Sequence, residues 1–137
     1  MKPLGGTELL YKNLIKYVGK EWMENNHLLI STFDERIFDN EKQKILWQHL
    51  YIDQYNAQVM ANKANVEKID KFVYVSEWQK QQFINHFNLG DCNNLVIRNA
   101  IEPIPFKEKP KDKIRLIYNS MPDRGLEILL DAFDMMD

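Results

Sequence analysis

The stretch Phe72-Val-Tyr-Val-Ser-Glu-Trp-Gln79 decides the fold class, because it joins the clearest strand in the chain to the clearest helix start. Phe72 to Val75 is a short apolar run of β-branched and aromatic residues, the composition of a strand covered on both faces. Ser76-Glu-Trp-Gln79 has the S-x-x-Q pattern, in which a serine hydroxyl and a glutamine side chain satisfy free N–H groups at a helix start. The helix it opens carries Trp78, Phe83, Ile84 and Phe87 and closes at Asn88-Leu-Gly90.

Working outward, the same alternation repeats. Upstream, Ile52, Tyr55, Val59, Val66 and Ile69 keep helical spacing, with a break expected over Asn62 to Asn65. His27 to Thr32 and Lys44 to His49 read as two strands separated by a polar loop, Phe33 to Gln43. The spacing of Leu10, Leu14, Tyr17 and Val18 predicts a first helix, capped by Thr7 and ended by Gly19 or by Asn25-Asn26. Downstream, Leu95 to Ile101 is a further strand, and the proline- and charge-rich Glu102 to Asp112 suits an extended connector. Lys113-Ile-Arg-Leu-Ile-Tyr-Asn119 then reads as a buried strand, turned by Ser120 to Leu126 into a helix whose stripe of Leu126, Leu129, Leu130 and Phe133 is expected to be core. Helices alternating with strands predict an α/β fold with a parallel sheet, whose ligands gather at the carboxyl ends of the strands.

Composition narrows the function classes. The 137 residues are 45% hydrophobic and 12% aromatic, enough for a packed core. Eighteen basic against twenty acidic residues give a net charge of -2 without a Lys/Arg block, which argues against a nucleic-acid partner. Cys92 is the single cysteine, so an internal disulfide is excluded, and no Cys/His spacing resembles a zinc site. No apolar run approaches the length of a transmembrane segment, about 20 residues. The expectation is a soluble cytoplasmic protein without a metal.

Few residues combine reactive chemistry with the right position. Gly5-Gly6-Thr7-Glu8 stands where the chain enters a helix. Two glycines there let a phosphate or sugar approach backbone N–H groups, although they also serve simply as a tight helix start capped by Thr7. His49 ends the strand Lys44-Ile-Leu-Trp-Gln-His49, so a parallel sheet delivers its imidazole to the functional edge. His27, at a strand start, and His86, on a helix among polar neighbours, have less claim. Capping explains Ser76 and Gln79 without catalysis, since no G-x-S-x-G elbow surrounds the serine. Asn99, ending the strand Val96-Ile-Arg-Asn99, either stabilises a turn or lines the cleft. Arg124-Gly125 at a helix start offers a guanidinium fork beside free backbone donors, a fit for a diphosphate, and a basic residue there opposes the helix dipole.

In order, Gly5-Gly-Thr-Glu8, Lys44-Ile-Leu-Trp-Gln-His49, Phe72-Val-Tyr-Val-Ser-Glu-Trp-Gln79, Val96-Ile-Arg-Asn-Ala-Ile101 and Arg124-Gly-Leu-Glu-Ile-Leu-Leu130 resemble the retaining GT-B glycosyltransferases of the glycogen-synthase-like group (glycosyl transferases group 1). The resemblance covers nearly the whole chain. It implies two Rossmann-like domains facing across a cleft, with the acceptor mainly on the first and the nucleotide-sugar donor on the second. On this chain it implies a GT-B amino-terminal acceptor-side domain over 1–102, a linker over 103–112 and the first βα unit of a truncated, incomplete donor-binding domain over 113–137. By the same resemblance Gly5, Gly6 and Thr7 form the glycine loop near the donor phosphates, and His49 is the catalytic-site histidine near the acceptor and the transferred sugar. Arg124 and Gly125 correspond to the basic residue–glycine pair that holds the donor diphosphate, with Asn99 at the cleft. The nucleotide-sugar is then a co-substrate, no cofactor is needed, and the acceptor is a glycan, lipid or protein.

The sequence departs from the family at three places. Only Met1 to Leu4 precede Gly5, where members carry a first strand. Asn119-Ser120-Met121 stands where a further arginine is usual, and the paired glutamates of the donor domain would lie beyond Asp137. The expected function is therefore sugar transfer by an intact protein of which this segment, alone, is inactive. A non-catalytic α/β binding module derived from such an enzyme is the alternative, and a nucleotide-binding regulator a third. A further alternative has the strand Lys113 to Asn119 folding back into the place of the missing first strand.

Overall fold

The computed structural model describes residues 6–34, 41–100, 102–109, 111–112, 116–118 and 122–135. It divides into two compact units, Met1–Ile101 and Glu102–Asp137. The first unit is α/β: α1 (Gly6–Asn25), β1 (Asn26–Ile30), β2 (Gln43–Gln48), a 3-10 helix (Tyr55–Ala61), α2 (Lys63–Val66), β3 (Lys71–Tyr74), α3 (Glu77–Phe87) and β4 (Asn94–Val96). The strands form a four-stranded sheet in the order β1-β2-β3-β4, and every pair is parallel.

The side-chain alternation of the strands sorts the helices into two layers. Leu46, Phe72 and Tyr74 face a core shared with Ala57, Met60, Ile69, Phe83 and Leu89, so the 3-10 helix and α3 lie on that side. Ile45, Trp47 and Val73 face the other side, where Leu10, Leu14 and Trp22 of α1 pack against them. The crossovers from β2 to β3 and from β3 to β4 run over one face and step the chain the same way across the sheet, as right-handed connections on one face must. α1 reaches β1 over the opposite face. Both faces of β2 and β3 are therefore covered.

α1 runs antiparallel to the strands it covers. Its early residue Tyr11 shares a hollow with Ile30, Thr32 and Asp34 at the end of β1, whereas its late residue Trp22 lies with Asn26, Gln43 and Lys71 at the strand starts. The helix start at Gly6 and the carboxyl ends of the strands consequently share one edge. Gly19 interrupts the helix with φ 80° and ψ 173°, so the expected stop at Gly19 is a kink and Asn25 is the true end. Thr7 falls within the first turn.

Elsewhere the local chemistry acts much as the sequence predicts. Asn62 breaks the helical stretch by accepting from the N–H of Ala64 at 3.0 Å, which leaves a 3-10 helix and a single turn of α2 in place of one long helix. Asn88, at φ 56° and ψ 52°, ends α3 in the left-handed conformation, so the cap is Asn88 and not Gly90. β4 stops at Val96, five residues short of the expected Ile101. Trp78 does not join the core face of α3: it is 61% exposed, because it sits about 100° round the helix from Gln79 and about 140° from Phe83, the buried positions.

In the second unit a 3-10 turn, Pro122–Arg124, leads into α4, Leu126–Asp134. No residue of α4 is buried. Leu126, Leu129, Leu130 and Phe133 line, with Leu116 and Tyr118, a hollow of about 280 Å³ instead of the expected closed core. One helix against one short segment offers no second layer to seal an apolar stripe. Of the predicted strand Lys113 to Asn119 only 116–118 are described, and these form no strand; the four-stranded sheet is built from 26–96. The fold-back alternative and any strand before Gly6 fall largely outside the described residues.

Candidate functional site

The edge where the strands end is organised around the exit from β2. Gln48 is buried, and its Oε1 accepts from the N–H groups of His49 and Leu50 at 3.1 and 3.0 Å, which turns the chain as it leaves the sheet. Ser31, one step past β1 and in the left-handed region at φ 57°, accepts from the His49 N–H through Oγ at 3.0 Å. Gln79, buried in the first turn of α3, accepts from the Val75 N–H at 2.9 Å and donates to the Leu50 carbonyl at 2.9 Å. Tyr51 donates its N–H to Gln54 Oε1 at 2.7 Å. Three strand ends are thereby tied to one short segment, His49-Leu50-Tyr51.

His49 packs edge-on against Trp47, with ring centroids 4.5 Å apart. Its Nε2 is buried and finds no hydrogen-bond partner among the described residues, and the same is true of Trp47 Nε1. Buried polar atoms are normally paired. An imidazole nitrogen buried without a partner near the edge where ligands gather in parallel sheets is a group a hydroxyl could satisfy once the side chains covering it part. Burial pushes the His49 pKa down, so the ring is neutral at pH 7 and can accept a proton or hydrogen bond.

That depression has a measurable sign. The unfolded chain takes up the His49 proton near the ordinary value of about 6.5, while the folded chain resists until lower pH. Stability contributed by the neutral ring is therefore complete above about pH 6.5 and is lost as pH falls toward the folded pKa. Thermal denaturation between pH 7.5 and 5 is expected to show a steeper fall in Tm for the native chain than for His49→Gln. Equal slopes would show that the ring is not held neutral by the fold.

The other sequence candidates are distributed as follows. Gly6 begins α1 and Thr7 follows it in the first turn, at the same sheet edge as His49, and Gly5 lies outside the described residues. A Cβ built on Gly6 meets nothing within 4 Å, and its φ is not positive, so neither packing nor a turn requires glycine there. Asn99 is exposed and lies three residues beyond the end of β4, so it ends no strand. Arg124 is exposed, and Gly125, at φ 100°, is the first flanking residue of α4; both belong to the second unit. His27 stands in β1 and His86 packs against Phe87, away from the strand ends.

Sequence reading missed the tethers. Ser76 was legible as a cap, and its Oγ does accept from the Gln79 N–H at 3.0 Å, but the Gln79 side chain takes the Val75 N–H in place of the Ser76 N–H that a reciprocal capping box predicts, and its bond to Leu50 spans 29 positions and leaves no local pattern. Gln48 and Ser31 carried no signal either, since their partners are set by strand register. Tyr51 and Trp78 stack across the same junction. Among the described residues no group of three or more His, Cys, Asp or Glu side chains could hold a metal ion, and no helix is long and apolar enough to cross a membrane. Comparisons with protein-family models, with curated proteins and with solved structures return no match.

Proposed function

We propose that this chain is the acceptor-side part, with the opening βα unit of the donor-binding part, of a retaining GT-B glycosyltransferase. The intact protein moves a sugar from a nucleotide-sugar donor to an acceptor hydroxyl. The observation that carries the reading is His49, a neutral imidazole with an unpartnered buried Nε2 at the strand-end edge. It is supported by the start of α1 at that edge, where Gly6 is exposed and a Cβ built on it meets nothing within 4 Å, and where a helix start favours an anionic oxygen.

In this reading the protein's work is orientation. His49 holds the reacting hydroxyl or sugar oxygen through Nε2, and the tethered exit from β2 keeps the ring from drifting. Arg124, in the second unit, neutralises the diphosphate as the leaving group gains charge. No metal or cofactor enters the proposal.

Half a cleft exposed to water cannot align or desolvate both substrates. The 137-residue chain is therefore expected to release no nucleotide from UDP-, GDP- or ADP-sugars in a coupled assay. The naturally expressed protein that carries these residues is expected to do so, with His49→Ala lowering turnover about 10²-fold or more. Robust release by the 137-residue chain, or full activity in His49→Ala, would overturn the assignment.

A further inference from the structure

We infer that Tyr51 and Trp78 form a stacking platform for a neutral pyranose ring of the acceptor, an inference that rests on the glycosyltransferase reading for the identity of the site. The two rings are parallel to within 8° with centroids 5.8 Å apart, yet Tyr51 remains 43% and Trp78 61% exposed. Aromatic surface left in water has a hydration cost that burial in the core would remove. Trp78 stands next to Gln79 in the first turn of α3, and Tyr51 is two residues past His49, so the pair lies at the strand-end edge.

The platform is fixed by backbone bonds. Gln79 clamps the Leu50 carbonyl at 2.9 Å and the Val75 N–H at 2.9 Å, which ties the segment carrying Tyr51 to the helix carrying Trp78. Gln54 holds the Tyr51 N–H, and Ser76 caps α3. With both backbones anchored, each ring has only two side-chain torsions to restrict, so stacking a ligand loses little entropy.

Charge selects the ligand class. The segments 50–55 and 76–80 hold one cation, Lys80, and it is paired with Glu77 at 2.9 Å. Asp53 and Glu77 are the acidic groups on the same two segments. A phosphate-bearing nucleotide would meet negative charge without a free cation to offset it. A pyranose presents axial C–H groups to the negative face of an aromatic ring and hydroxyl donors to carboxylates around it. A neutral sugar fits on both counts.

The test is a titration of the full chain followed through its three indole N–H signals by NMR. Trp78 is assigned by the signal lost in Trp78→Phe, and Trp22, which lies with Asn26, Gln43 and Lys71 at the strand starts, serves as the internal reference. With a panel of neutral gluco-, manno-, galacto- and xylo-oligosaccharides, the Trp78 signal is expected to shift for at least one member while that of Trp22 stays in place. Tyr51→Ala and Trp78→Ala are each expected to weaken that binding at least about tenfold, and Trp78→Phe by less, because a phenyl ring retains a stacking face. Both positions are exposed, so unchanged Tm values identify variants that remain folded. Absence of a shift with every sugar, an equal shift with UMP or AMP, or unchanged affinity in both alanine variants overturns the inference. Sugar binding at Trp78 together with full activity in His49→Ala would keep the platform and remove the transferase reading. Transfer with an unchanged acceptor KM in both alanine variants would do the reverse.

Discussion

Phe83→Ala is expected to lower the unfolding free energy of the first unit by about 3–5 kcal/mol, the range for emptying a buried aromatic site. Phe83 is 1% exposed and sits between Tyr74 and Phe87, with centroids 5.6 and 5.5 Å away. It is the fully buried apolar residue of α3, with Ile84 and Phe87 packed part-buried against the same core and Gln79 the helix's other buried residue. The neighbours cannot collapse into the gap easily. Tyr74 is fully buried and held by a bond from its hydroxyl to Asn94 Oδ1 at 3.0 Å, which fixes its ring in place. Small domains are stable by only about 5–15 kcal/mol, so the loss takes much of the margin. Urea denaturation followed by tryptophan fluorescence should show a lower midpoint with an unchanged slope. A loss under about 1 kcal/mol would mean that α3 is not seated as described.

Gln79→Met is expected to cost about 2–4 kcal/mol although methionine has similar volume and helix propensity. Two part-buried backbone groups lose their partner at once, the Val75 N–H and the Leu50 carbonyl, and each stranded group costs about 1–3 kcal/mol. Gln79→Glu is no rescue: a carboxylate can still accept from Val75 but faces the Leu50 carbonyl with like polarity. The effect should be local as well as global. Amide exchange at Leu50 and Tyr51 is expected to accelerate more than exchange in β3, because the clamp on the exit from β2 is what the substitution removes. Uniform acceleration across the sheet would show Gln79 to be an ordinary core residue.

Much of the fold was legible in the sequence because it is encoded over short range. Phe72 to Val75 reads as a strand from four residues, and the observed β3 is Lys71–Tyr74. Ser76 reads as a cap from its spacing to Gln79, and the hydroxyl makes that bond. The parallel α/β class follows from the order of such units. Where the reading slipped, a neighbour in space decided the outcome. β4 ends at Val96 where β3, its only partner strand among the described residues, ends at Tyr74. Trp78 belongs by composition to the apolar set of α3, but helix phase turns it outward. The stripe on α4 has the right period for a core, and no layer among the described residues of its unit buries it.

The candidate site divides the same way. His49 was identifiable because a histidine at the end of an apolar strand is a positional fact, and Gly6 because glycine at a helix start is. The sequence by itself determined the chemical groups available and which strand ends carry them, since periodicity, capping and turn chemistry act over a few residues. The tertiary structure decided which groups are held, which are buried without a partner and which stack. Gln48, Ser31 and Gln79 converge on one three-residue segment, and Tyr51 meets Trp78, only because parallel pairing sets β1, β2 and β3 side by side in one register. Register is fixed by burial of both sheet faces at once, a condition on the whole core that no local run of residues contains.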